Sequence, residues 1–170
     1  MAAYLLNKAI WTTTSDRYII SGGQTGVDRA ALDAAISLGI QIGGWCPKGR
    51  LAEDGEIPER YPLCETESED YAARTRNNVR DSDATLILII GLFDQGTHLT
   101  RKYVDMLDKQ HRIVDIKDMY DSVSILNWLL EKQIFQLNVA GPREGNAPGI
   151  YERSYRWLRS LFQTWISTRR

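Results

Sequence analysis

The chain has 170 residues, 43% of them apolar and 25% charged, with a formal charge of −1 at neutral pH. That length suits one globular domain with its own core, and so small a charge excludes broad electrostatic binding to nucleic acid or an anionic membrane. Cys46 and Cys64 lack metal-type spacing, no apolar run reaches a membrane span, and the first ten residues lack the basic start of a signal peptide, so a cytoplasmic protein with reduced thiols is expected.

Residues 1–15 are expected to form an N-terminal extension and residues 16–170 a single domain. The first strand, 17–20, runs into Ser21-Gly-Gly-Gln-Thr-Gly-Val-Asp-Arg29, after which Val27, Ala30, Ala31, Ala34 and Leu38 carry a helical period. A glycine-rich strand-to-helix turn brings backbone amides close to a ligand beside the positive end of a helix, which makes an anion site. The spacing matches neither the dinucleotide fingerprint nor the P-loop. Thr25 and Asp28 match a capping box, so Asp28 reads either as a cap or as an acceptor for a ligand hydroxyl or amino group.

A short second strand is expected at 40–43, then an irregular stretch, 44–66, punctuated by Pro47, Gly49, Gly55, Pro58 and Pro62. A connection this long in a compact domain usually has a binding role. A helix starting near Thr66 or Ser68 runs to about Arg80, and the apolar run 84–90 reads as a central parallel strand. The loop 91–97 leads into a helix with Leu99, Tyr103, Met106 and Leu107 inward. A strand at 112–116 and a helix at 121–132 with Ile125, Trp128 and Leu129 inward follow, then a strand at 134–139 and a glycine- and proline-rich loop at 141–149. The last helix, 150–168, places Tyr151, Tyr155, Leu158, Phe162 and Trp165 on one stripe.

Alternating strands and helices imply an α/β, Rossmann-like, doubly wound and mostly parallel sheet with helices on both faces. Ligands of such sheets bind beyond the carboxyl ends of the strands. The loops at that edge, 21–26, 44–50, 91–97 and 140–149, are all rich in glycine and should share one crevice. The candidate binding residues are therefore Gly22, Gly23, Gln24, Thr25, Asp28, Trp45, Lys48, Arg50, Gly96, Thr97 and Arg143. Gly96 and Thr97 offer amides and a hydroxyl at a helix start, with Thr97 the alternative cap. Arg143 offers a rigid fork of donors to an oxyanion, or pairs with Glu144. Lys48 and Arg50 complete a basic rim or lie solvated, and Trp45 stacks on a planar ring or packs in the core. His98 and His111 have no partners at ligand spacing, so no metal site is expected, and Ser21 lacks a nucleophile elbow.

Five stretches carry a family resemblance. The residues from Ser21 to Asp33, Gly43-Gly-Trp-Cys-Pro-Lys-Gly-Arg50, the residues from Ala52 to Pro62, Asn78-Val-Arg-Asp-Ser-Asp-Ala-Thr85 and Asn138-Val-Ala-Gly-Pro-Arg143 resemble the putative molybdenum carrier family. That family is similar to the algal molybdenum cofactor carrier. It falls within the Rossmann-like nucleotide-sensing group that includes the lysine-decarboxylase-like phosphoribohydrolases. The resemblance implies a Rossmann-like domain, a phosphate-bearing heterocyclic ligand such as molybdenum cofactor or a nucleotide, and an oligomer. The aromatic final helix, with Trp157 and Trp165, points the same way, to a homodimer or homotetramer.

The phosphoribohydrolases carry Pro-Gly-Gly-x-Gly-Thr-x-x-Glu, whose glutamate supports glycosidic cleavage. Here Gly96-Thr97 survives and Thr100 stands at the acid position. A threonine cannot act as that carboxylate, so a carrier with no catalytic residue is expected. The alternative is a nucleotide hydrolase using another carboxylate such as Asp28.

Overall fold

A computed structural model describes residues 16–117 and 122–168. The expected extension, residues 1–15, and the expected helix start at Asp121 lie outside the described residues.

The frame forms where the apolar pattern places it. Five parallel strands make the main sheet: β1 (Tyr18–Ile20), β2 (Gln41–Gly43), β7 (Ala84–Ile89), β8 (Gln110–Asp115) and β9 (Gln136–Ala140). Their spatial order is β2-β1-β9-β7-β8. The last strand in the chain thus lies at the centre of the sheet, and counting from β9 turns the order into 3-2-1-4-5, the order of a doubly wound dinucleotide fold. β7 is buried at alternate and intervening positions alike, from Ala84 to Leu88, because helices cover both of its faces.

Helices α1 (Val27–Ser37), α4 (Ser122–Glu131) and α5 (Ile150–Ser167) form one layer, and α2 (Tyr71–Arg80) packs on α3 (Gln95–Met106) in the other. Small side chains on α1, Ala31, Ala34 and Ala35, let α5 approach closely. The core between them holds Trp128, Trp157, Leu158, Phe162 and Trp165. Trp157 and Trp165 are thus buried inside the chain's own core rather than offered as surplus surface.

Two helices differ from the periodicity reading. α2 starts later than Thr66 or Ser68, because Asp70 is the N-cap and its carboxylate accepts the Ala72 amide at 2.9 Å. α3 buries Thr97, Thr100 and Val104, whereas Met106 is exposed.

The stretch read as irregular contains short paired strands. β3 (Trp45–Cys46) pairs in parallel with β6 (Cys64–Glu65), and β4 (Leu51–Ala52) pairs with β5 (Gly55–Glu56) as a hairpin. A second small core, Leu32, Cys46, Ile57, Tyr61 and Leu63, ties this insertion to α1. Strands of two residues leave no period to read.

Candidate functional site

The β1–α1 turn is held from both sides. Val27 donates its amide to the Pro142 carbonyl at 3.1 Å, and Gly26 has φ +76°. A Cβ on Gly26 would lie 2.5 Å from the Pro142 oxygen and 2.7 Å from the Glu144 nitrogen, so glycine is required where the turn meets the β9–α5 loop. The expected capping box does not form: α1 has no side-chain cap. Thr25 instead donates its hydroxyl to Glu53, and the Asp28 carboxylate accepts the Gln24 amide at 3.3 Å and the Arg74 guanidinium at 3.1 Å. Arg74 competes for the carboxylate that a box would need.

Asp28 is buried, and burial pushes its pKa up although Arg74 and the Gln24 amide pull it down. The guanidinium of Arg74 also fills the space in which a Cβ on Gly22 would stand, and its buried Nε has no partner. Sequence reasoning missed Arg74. A signal existed: α2 buries Thr75 and Asn78 along with Val79, so its inner face is polar where a plain covering helix is apolar.

Glu53, at the tip of the β4–β5 hairpin, is the hub of the crevice. Its carboxylate accepts the Thr25 hydroxyl and the Gly145 amide, the latter at 2.9 Å, and lies 3.6 Å from Nε of Arg143. Its own amide donates to the Gln24 side chain at 2.9 Å. The neighbouring Asp54 takes both terminal nitrogens of Arg29, at 2.5 and 2.8 Å, while Arg29 Nε donates to the Gly23 carbonyl at 3.0 Å. The carboxyl of Asp54 is held below its ordinary range, chiefly by the hydrogen bonds from Arg29. Arg143 therefore pairs with Glu53, not with Glu144.

The starts of α3 and α5 are closed by the chain's own carboxylates. Asp94, not Thr97, caps α3: one oxygen accepts the Thr97 amide at 2.8 Å and its hydroxyl at 2.6 Å, and the other accepts Asn146 Nδ2 at 2.8 Å. That last bond joins the loops after β7 and β9, the two strands whose following helices lie in opposite layers. Glu144 accepts the amides of Gly149 at 2.5 Å and Tyr151 at 2.9 Å at the start of α5.

The structure thus brings together Gly22, Gly23, Gln24, Thr25, Asp28 and Arg143, and joins the loop of Gly96 and Thr97 to them through Asp94 and Asn146. It sends three other candidates elsewhere. Arg50 donates to the carbonyls of Ile57, Pro58, Tyr61 and Leu63 and so organises the insertion. Lys48 is exposed, with its amide on the Ser68 carbonyl. Trp45 donates its indole N–H to Asp81 at 2.7 Å, which holds the ring against α2.

Beside Glu53 lies a cavity of about 610 Å³, walled by Thr25, Gly26 and Arg29, by the insertion, and by the start of α5. On its far wall Asp33 accepts the hydroxyls of Tyr61 at 2.8 Å and Tyr151 at 2.7 Å. Burial, and then the bond to Asp33, push the Tyr151 phenol up, so both phenols donate. Among the described residues no His, Cys, Asp and Glu side chains gather in a metal-binding cluster, and no helix is long and apolar enough to cross a membrane. The crevice therefore gathers guanidiniums, amides and a hydroxyl around its own carboxylates, a donor set that also suits an oxyanion, next to a volume large enough for a ring system.

Comparison with known proteins bears on the fold and the family. Residues 19–162 match the model of the circularly permutated YpsA SLOG family. No curated protein matches the chain. A crystal structure described as a putative molybdenum carrier protein from Syntrophus aciditrophicus is 44% identical, with a TM-score of 0.81 over 85% of this chain and 93% of that one. The permutation in the family's description agrees with a sheet whose central strand comes last in the chain. The chain belongs to the circularly permutated YpsA SLOG family, and within it to the molybdenum carrier-like members.

Proposed function

We propose that the chain is a carrier that binds a phosphate-bearing heterocycle, molybdenum cofactor or a related nucleotide, and leaves its bonds intact. The observation that carries this reading is the meeting of Thr25, Gly26 and Arg29 of the β1–α1 turn with Arg143 and the β9–α5 loop at the carboxyl edge of β1 and β9. Guanidiniums and close backbone hold a phosphate, and the cavity beside Glu53 has room for a ring. The relative described as a putative molybdenum carrier supports molybdenum cofactor as the cargo.

Thr100 supports binding over cleavage. It is buried and donates its hydroxyl to the Gly96 carbonyl at 3.1 Å, so it lends the crevice neither a carboxylate nor a free hydroxyl. Hydrolysis through Asp28 would require a carboxylate with access to water, and Asp28 is only 3% exposed and bound to Arg74. The protein is proposed to work in the cytoplasm as a homodimer or homotetramer.

Mass spectrometry of small molecules released from the purified protein is expected to yield a phosphorylated pterin or nucleotide. Incubation with guanosine monophosphate is expected to release no base. Turnover near the ordinary enzymatic range of about 1–10³ per second would replace the carrier reading with the hydrolase one.

A further inference from the structure

We infer that the tip of the β4–β5 hairpin is an internal anion plug, in which Glu53 and Asp54 occupy the donors that receive a tetrahedral oxyanion when the hairpin lifts. This rests on the phosphate-binding reading and specifies its site as Thr25, Arg29, Arg143 and the Gly145 amide.

Three observations carry it. The first is the donor set. A hydroxyl, a backbone amide and a guanidinium converge on the single carboxylate of Glu53, and a second guanidinium, Arg29, is bound through both terminal nitrogens by Asp54. Such a set suits a dianion with several acceptor oxygens better than one carboxylate can. The second is closeness: a Cβ on Gly145 would stand 2.6 Å from Glu53 Oε2, so the β9–α5 loop is bare where the anion sits. Thr25, Arg29, Glu53, Asp54 and Gly145 all line the cavity of about 610 Å³, so a displaced tip would leave its donors facing that space.

The third is mechanical. The base of the insertion is fixed, with Arg50 on four carbonyls and Ile57 and Tyr61 buried in the small core. The tip has no such core: it is held by its two carboxylates and by the Glu53 amide on the Gln24 side chain. Only two residue pairs close the hairpin, Leu51 with Glu56 and Ala52 with Gly55, and Asp54, Gly55 and Glu56 are exposed. A segment with few buried contacts opens at low cost. The plug is a tethered competitor, so its strength is set by effective concentration rather than by affinity alone.

The test is calorimetric titration of the unmodified protein and of the double variant Glu53→Gln/Asp54→Asn with inorganic phosphate and with guanosine monophosphate. The double variant keeps the shapes and removes the charges. It is expected to bind phosphate at least tenfold more tightly than the unmodified chain, and adding Arg143→Ala is expected to cancel the gain. A gain with phosphate alone assigns the site to free oxyanions; a gain with both assigns it to esterified phosphate as well. Hydrogen exchange on the unmodified protein serves if the variant fails to fold. Phosphate is expected to speed exchange across residues 51–56 and slow it across 141–149. Phosphate affinity that is equal or lower in a folded double variant, or slower exchange in the hairpin on adding phosphate, overturns the plug. A phosphate gain in the variant with no nucleotide or pterin binding by either form counts against the heterocycle reading and leaves the plug standing.

Discussion

Two strand-to-helix turns of this chain look alike in sequence and are built in opposite ways. At the start of α3, Asp94 takes the Thr97 amide and hydroxyl and is itself held by Asn146, so the helix end is filled from within. At the start of α1 no side chain caps the helix: its own carboxylate, Asp28, is drawn inward to Arg74, and the carboxylates that reach the turn, Glu53 and Asp54, come from the hairpin. Glycine brings the backbone close only at the second: a Cβ on Gly26 would stand 2.5 Å from the Pro142 oxygen, whereas one on Gly96 would meet Asp94 at 3.7 Å. What separates the two turns is what the nearest carboxylate binds: Asp94 takes an amide and a hydroxyl from the first turn of its own helix, whereas Asp28 takes the Gln24 amide ahead of its helix and Arg74 from another element.

The most damaging way to break this contrast is to remove Arg74. Arg74→Met leaves Asp28 buried without its ion partner, which costs about 3–5 kcal/mol. Chemical denaturation at neutral pH is expected to show that loss. Burial already raises the Asp28 pKa above 3.8 in the intact chain. A raised folded value means that the stability it contributes is full below the ordinary aspartate range and is lost as pH rises through the folded value. The variant should therefore regain stability on acidification, and a deficit that does not shrink as pH falls would show that Arg74 does not serve to neutralise Asp28.

Gly26→Val attacks the open turn directly. The positive φ alone costs about 1–3 kcal/mol for a β-branched residue, and contact with the Pro142 carbonyl adds to it. Thermal melting is expected to fall by several degrees, and nucleotide binding should be lost in whatever fraction remains folded.

Asp94→Ala opens the closed turn at a cost of about 0.5–2 kcal/mol. Burial pushes Asp94 up, but the hydrogen bonds from Thr97 and Asn146 prevail and hold its carboxyl below the ordinary range. Its contribution is thus present above the ordinary aspartate pKa and lost as pH falls through the lowered value. The intact chain and the variant should differ most at neutral pH and converge in acid, with hydrogen exchange in the first turn of α3 as the readout.

The smallest effect is expected from Trp45→Phe, which removes the bond to Asp81 and costs about 0.5–1.5 kcal/mol. Nucleotide affinity should stay unchanged. A clear loss of affinity in this variant would bring Trp45 back as a stacking residue.

The frame was legible because its signals are local. The run from Ala84 to Ile89 is apolar at every position but Thr85, and α1 and α5 repeat at helical spacing. The central place of β9 was not, because no period records which strands become neighbours. In the crevice, Gln24, Thr25 and Arg143 were legible as polar groups in glycine-rich loops at the strand ends. Glu53 and Arg74 were not, since each acts on residues 28 or more positions away. Arg50 reads as a free cation in sequence and is bound by four carbonyls only because Ile57 to Leu63 fold back over it.

The central claim is that this crevice holds a phosphate through Arg143. The direct measurement is calorimetric titration of the unmodified protein and of Arg143→Ala with guanosine monophosphate and a phosphorylated pterin. A charge-assisted contact is worth about 1.5–3 kcal/mol, so saturable binding to the unmodified protein and a loss of roughly ten- to a hundredfold in the variant are expected, with the melting temperature little changed. Equal affinity in the two proteins, or no binding of either ligand to the unmodified one, would contradict it.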